Sequence, residues 1–222
     1  MLKILNISSV KSWRGGEQQI AYLINELKKM GVENTVLCDR SSEFEKYCVK
    51  NSISHYSAGF HGLLDVYSSA KTLKKIASKF DLVHVHSSKG HSVAYYSYLL
   101  GSKAKFIISR RVDFKQNSGF LSRFNYTFKS IEGYICVSDA IRSIMLEYLG
   151  DNWRDRCMTI HSGVDLNKNG QSPSFDLKSA YDLSGDIKII GNTSALADHK
   201  DYFTFIDRNK TTAAYISSID SI

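Results

Sequence analysis

Two histidines and two arginines stand at positions where a parallel sheet would present them to a ligand. His84 and His86 lie in DLVHVH, followed by Ser87 and Ser88, and their spacing puts both rings on one side of an extended strand. His86 is nearer the carboxyl end and is the stronger site candidate; a core histidine bonded to backbone is an adequate reading for His84. A metal centre would need a third ligand, and no carboxylate neighbours the pair. Arg110 and Arg111 end the next apolar run, with Asp113 two residues on. Adjacent guanidinium groups can clamp a phosphate or carboxylate, or can pair with Asp113 and brace the loop, and both readings stand. Near the amino terminus, SVKSWRGGEQQ supplies Gly15, Gly16 and Glu17. Two glycines let backbone approach a ligand, and a helix opening there directs free N–H groups at an anion or a sugar hydroxyl. The plain alternative is a tight turn that needs glycine. Neither GxGxxG nor GxxxxGKS occurs, which disfavours a simple dinucleotide or P-loop site.

The elements that must carry these residues alternate. Residues 3–9 read as a strand, and a helix opened by the glycines has Ile20, Leu23, Ile24 and Leu27 on its stripe and Gly31 at its end. Strands are expected at 34–38, 53–56, 81–86, 104–109 and 133–137. Helices are expected around Val66–Phe80 and at 89–100 and 120–130. Ser138 caps a further helix carrying Ile141, Ile144, Met145 and Leu149. The βα series predicts an α/β fold with a doubly wound parallel sheet. In such a sheet ligands bind beyond the carboxyl ends of the strands, where all the residues above fall. The only proline, Pro173, marks a linker-like stretch; beyond it a helix at 175–183, a strand at 187–192 and a helix at 198–207 begin a new unit.

Composition agrees with a soluble globular chain. Of 222 residues, 43% are hydrophobic and 23% charged, which excludes fibrous and disordered classes. No stretch reads as a signal peptide or membrane span, so the cytoplasm is the expected compartment. The cysteines Cys38, Cys48, Cys136 and Cys157 show no metal-ligand spacing. A net charge of +7 points to anionic partners. Lys71, Lys74, Lys75 and Lys79 share a helical face, which is a solvated face or one that meets an anionic membrane. Nucleic acid is disfavoured because the basic residues lack the interleaved aromatics of a recognised motif.

Taken together, the motifs resemble those of the retaining glycosyltransferases of family 4. They are Gly15-Gly16-Glu17 after the first strand, Asp81 to His86, the Val137-Ser138 junction and Ser162-Gly163-Val164-Asp165, in order over residues 1–201. The resemblance implies a Rossmann-like GT-B amino-terminal domain over 1–165, a linker and crossing helix over 166–186, and the start of a donor-binding domain over 187–222. It implies Gly16 near the donor phosphates, with His86 and Ser138 lining the cleft. No metal or other cofactor is implied; the donor is a nucleotide sugar and the acceptor a glycan or lipid-linked glycan of polysaccharide or lipopolysaccharide assembly, at the inner membrane face. Two departures stand out. Arg111 replaces a histidine common in the family, and in Ala195–Lys200 the diphosphate-holding lysine survives as Lys200 while the arginine does not. The paired-glutamate motif has no counterpart up to residue 222, so a shortened donor half with impaired transfer is expected. A non-catalytic binding module and a GT-B-shaped epimerase are the alternatives.

Overall fold

The structure is a computed structural model that describes residues 1–112, 120–166, 176–191 and 201–208. The chain divides into two compact units, Met1–Asp165 and Leu166–Ile222. The first unit alternates β1 (Lys3–Ser8), α1 (Gly15–Lys29), β2 (Glu33–Asp39), α2 (Glu43–Lys50), β3 (His55–Ala58), α3 (Leu63–Ala77), β4 (Leu82–Val85), α4 (Ser88–Leu99), β5 (Phe106–Arg110), α5 (Phe120–Thr127), β6 (Ile131–Cys136) and α6 (Asp139–Leu149). A 3-10 turn at Asp151–Arg156 leads into β7 (Cys157–Thr159). All strand pairs are parallel, in the order β3-β2-β1-β4-β5-β6-β7, so the chain winds outward from β1 in both directions.

Period-two alternation gives the sheet two unlike faces. Leu5, Ile7, Leu37, Val83, Val85, Phe106, Ile108 and Tyr134 face the larger core, completed by residues such as Ala70, Leu73, Val93, Ala94, Ile141 and Met145 from α3, α4 and α6. On the other face, Val36 and Cys38 meet Ile20, Ala21 and Ile24 of α1 and Phe44 and Cys48 of α2. Beside that second cluster the same face turns polar, with Asn6, His84 and Ser109 all buried. All four cysteines are free thiols and buried. Desolvation pushes Cys38 and Cys48 up to about 12, so they act as small apolar groups.

The second unit departs from expectation at the segment 187–192. No strand forms over 187–191, and Ile187, Ile189 and Ile190 are exposed. A lone apolar run has no ladder to satisfy its backbone groups, so hydrophobicity alone does not make it a strand. Helices are present at Leu177–Ala180, which ends before the expected residue 183, and at Tyr202–Arg208. Pro173, Asp113 and Lys200 lie outside the described residues.

Candidate functional site

The polar strip on the second face builds a connected network at the carboxyl edge of the sheet. Asn34 donates through Nδ2 to the Val32 carbonyl at 3.1 Å, so its Oδ1 accepts from Asn6 Nδ2, also at 3.1 Å. Asn6 Oδ1 is thereby left to accept from His86 Nε2 at 3.1 Å. That assignment fixes the tautomer: with the proton on Nε2, His86 Nδ1 accepts from Arg111 Nη2 at 3.4 Å. His84 lies against His86 with ring centroids 3.9 Å apart, and its Nε2 meets Ser109 Oγ at 2.9 Å.

Both imidazoles are neutral by environment. Burial lowers His84 to about 4, helped by the Arg111 charge. His86 is held well below its ordinary value by burial first, then by His84 and Arg111. Arg111 is itself lowered by burial, while the Glu17 carboxylate acts to raise it. Its Nε is buried and accepted by no partner, and among the described residues no carboxylate lies within ion-pair distance. The result is a half-buried cation beside two uncharged rings, an arrangement that favours an incoming anion.

Gly15 and Gly16 open α1 with no strained geometry. Neither has a positive φ, and a Cβ at either would meet nothing within 4 Å. The tight-turn explanation therefore fails, and the open side above their backbone is free for a ligand. Arg14 precedes the helix in extended conformation and its side chain makes no cap hydrogen bond, so it does not occupy the first-turn N–H groups. Glu17, expected with Gly15 and Gly16 to bind substrate, is turned inward. It is 3% exposed and accepts from Ser8 Oγ at 2.9 Å, so its carboxylate supports the site from below.

Arg110 is the clear correction. Strand alternation turns it to the opposite face from Arg111, buried and within electrostatic reach of His91, Tyr126 and Tyr134. Arg110, the last residue of β5, points with Phe106 and Ile108 into the larger core, while Arg111, just past the strand, lies beside His86 on the other face. Ser138 is half-buried at the tip of β6, where its Oγ accepts from Ile141 N at 3.3 Å and caps α6. Asn6, Asn34 and Ser109 were not singled out from sequence; a buried amide inside an apolar strand run was the available signal. Gln19 was missed as well. Its side-chain amide pairs twice with Gly163, donating to the carbonyl at 2.7 Å and accepting from the N–H at 3.1 Å. This ties the Ser162–Asp165 crossing to α1. Among the described residues no group of three or more His, Cys, Asp or Glu side chains is placed to hold a metal ion.

An α/β sheet wound outward from β1, with a polar mouth at its carboxyl edge and glycines opening the first helix, is the amino-terminal half of the GT-B architecture. The family model for Glycosyltransferase Family 4 matches residues 13–168, and the chain belongs to that family. The fold is similar to a glycosyltransferase from Rickettsia africae, with a TM-score of 0.71 at 18% identity over 95% of this chain and 57% of that one. It is similar also to Anabaena HepE in complex with UDP-glucose, with a TM-score of 0.68 at 17% identity over 93% of this chain and 57% of that one. A UDP-N-acetylglucosamine 2-epimerase from Rickettsia bellii gives 0.53 at 12% identity, over 78% and 52%. The chain thus spans little more than half the length of these solved proteins. No curated protein matches it.

Proposed function

We propose that this chain is the acceptor-side domain of a glycosyltransferase that moves a sugar from a nucleotide-sugar donor to a hydroxyl of a glycan or lipid-linked glycan in cell-surface polysaccharide assembly. What supports this reading is that the glycine N–H groups opening α1 follow β1 and the half-buried Arg111 cation follows β5, so both belong to the carboxyl edge of the sheet, with the Glu17 carboxylate acting on Arg111. A departing nucleotide diphosphate gains negative charge as the sugar–phosphate bond breaks. Fixed N–H dipoles and a guanidinium stabilise that charge without reorganising. His86, kept neutral and held by Asn6, orients Arg111 through Nδ1 and lines the acceptor side with Ser138. HepE, whose fold this chain shares, is described with UDP-glucose, which supports a uridine-diphosphate sugar as the donor class. No metal takes part in this scheme; the segment 187–222 is the beginning of the donor-binding domain, joined through 166–186, and Lys200 is its candidate diphosphate-binding residue by the family resemblance.

The location is the cytoplasmic face of a membrane, reached peripherally through α3; no helix among the described residues is long and apolar enough to cross one. Leu63 and Leu64 of α3 are 83% and 86% exposed, and Tyr67 lies on the same outward side with Lys71 4.5 Å over its ring. Lys74 and Lys75 continue that exposed side, opposite buried Ala70, Leu73 and Ala77. Apolar residues beside a basic run suit an anionic lipid surface.

A binding experiment tests the donor reading. With the chain isotopically labelled, UDP-glucose at concentrations up to about 10 mM, suited to a weak half-site, shifts the Gly15, Gly16 and Glu17 amides and the Arg111 side-chain signals. Glucose alone does not. Shifts confined to other parts of the chain, or none, would overturn the reading.

A further inference from the structure

The Arg111 guanidinium has one side-chain hydrogen-bond partner among the described residues, and that partner is an imidazole rather than a carboxylate. Its Nε meets none, and Glu17, which acts on it through charge, is itself bound to Ser8 Oγ. Arginine can only donate, so its contact exists only while His86 Nδ1 carries a lone pair, with the ring's proton on Nε2. A relay of side chains running diagonally across β2, β1 and β4 bears on that proton. Asn34 lies opposite Ile4, and Asn6 opposite His84, so each step from Asn34 to Asn6 to His86 moves two residues toward the carboxyl edge on one face. The relay starts at the Val32 carbonyl, which accepts from Asn34 Nδ2 at 3.1 Å and, being backbone, cannot exchange roles. Asn6 is fully buried, so neither end of its amide can turn to water. Reversing that amide would set Nδ2 against His86 Nε2, move the ring's proton to Nδ1 and bring two donors face to face at Arg111.

We propose that Asn34 and Asn6 are positioning residues for Arg111: by fixing the polarity of the relay from Val32 they keep His86 in its Nε2–H tautomer and so hold the guanidinium at the mouth. Both act through His86. The polarity is set in the turn from α1 into β2 and reaches the cation through three uncharged side chains. A neutral partner orients Arg111 without cancelling its charge, whereas a carboxylate in the same place would hold it and oppose an incoming anion. That the anion is a nucleotide diphosphate rests on the glycosyltransferase reading; the relay does not.

The test uses the full 222-residue chain near neutral pH, with labelled imidazole and guanidinium nitrogens. In the parent, His86 should show a protonated Nε2 and a bare Nδ1; a proton on Nδ1 would overturn the proposal before any variant is made. Asn34 is only half-buried, so Asn34→Leu is expected to fold. In that variant nothing fixes Asn6, so the two His86 nitrogen signals should move toward each other as tautomers mix, and the order of the Arg111 Nε–H should fall. Asn34→Asp keeps an acceptor for Asn6 Nδ2 and should restore the parent's signals at both residues. A role in packing alone predicts that the two variants behave alike. That result, or unmoved His86 signals in Asn34→Leu, would overturn the proposal. UDP-glucose titrated into the same samples should bind Asn34→Leu about fivefold more weakly than the parent or Asn34→Asp. Equal affinity beside mixed tautomers would overturn the positioning role. A parent with the expected tautomer and no response at Gly15 and Gly16 keeps the relay and removes the donor reading. The reverse pattern, with Gly15 and Gly16 responding and Nδ1 protonated, removes the relay alone.

Discussion

Replacing His84 by glutamine should make the protein markedly more resistant to acid. In the folded chain His84 titrates at about 4, against an ordinary value of 6.5, because burial and Arg111 disfavour its charged form. A group whose folded value is depressed contributes stability that is complete above its unfolded value. That stability is lost as pH falls toward the folded value. The window is therefore from about pH 6.5 down to about pH 4. Each unit of difference corresponds to about 1.4 kcal/mol, and at pH 4 the unfolded state's proton binding costs the fold about 3 kcal/mol for His84 alone. His91, lowered to about 3 by burial, adds a loss of similar size and sign, and His86 adds in the same direction. Against a total stability of about 5–15 kcal/mol, this is enough to unfold the domain near pH 4. Glutamine keeps an amide to meet Ser109 and cannot titrate. Urea unfolding followed by circular dichroism at a series of pH values reads the difference directly. The variant should lose about 3 kcal/mol less than the parent between pH 7 and pH 4, whatever its stability at pH 7. Parallel stability–pH curves for the two proteins would refute the account of a dry, neutral histidine pair.

Arg111→Met should raise the titration values of both His84 and His86, since the guanidinium lowers each, yet leave both below 6.5 because burial is the larger cause; nitrogen-resolved pH titration checks the order. Leu63→Ser with Leu64→Ser should reduce sedimentation with anionic vesicles about tenfold or more without a loss of thermal stability, because both side chains are exposed and two leucines contribute a few kcal/mol of transfer. Unchanged binding of the double variant to vesicles would remove α3 as the contact. Gln19→Ala should release the Ser162–Asp165 crossing from α1 and speed amide exchange at Gly163, whose N–H it now holds at 3.1 Å; equal exchange rates in both proteins would count against that tie.

The first unit was largely legible because its signals are periodic and local. Ile20 and Ile24 mark α1, Ser138 caps α6, and DLVHVH shows which two rings share a face. α2 escaped because its buried residues are only Phe44 and Cys48, two positions in a charged octet. β7 is three residues long and exists through its pairing with β6, which no local pattern reveals. The same limit explains 187–191, where an apolar run has no partner strand. At the site, alternation correctly joined His84 to His86. Applied to Arg110 and Arg111, the same rule places them on opposite faces, which the reading of the pair as one clamp overlooked. Asn6 and Ser109 became visible only in three dimensions, because a buried polar residue declares its role through partners distant in sequence.

The central claim is that a nucleotide sugar approaches the bare backbone of Gly16 beneath the Arg111 cation. Gly16→Ala tests it most directly, since the added methyl meets no protein atom within 4 Å and the residue lies in a helix with no positive φ. Alanine should leave stability unchanged or raise it by up to about 1 kcal/mol. The methyl would nevertheless occupy the space a phosphate needs to reach the N–H groups. The account expects UDP-glucose affinity, measured by amide shifts, to fall about fivefold or more in this variant while its melting temperature holds or rises. Affinity equal to the parent's, with the fold intact, would contradict it.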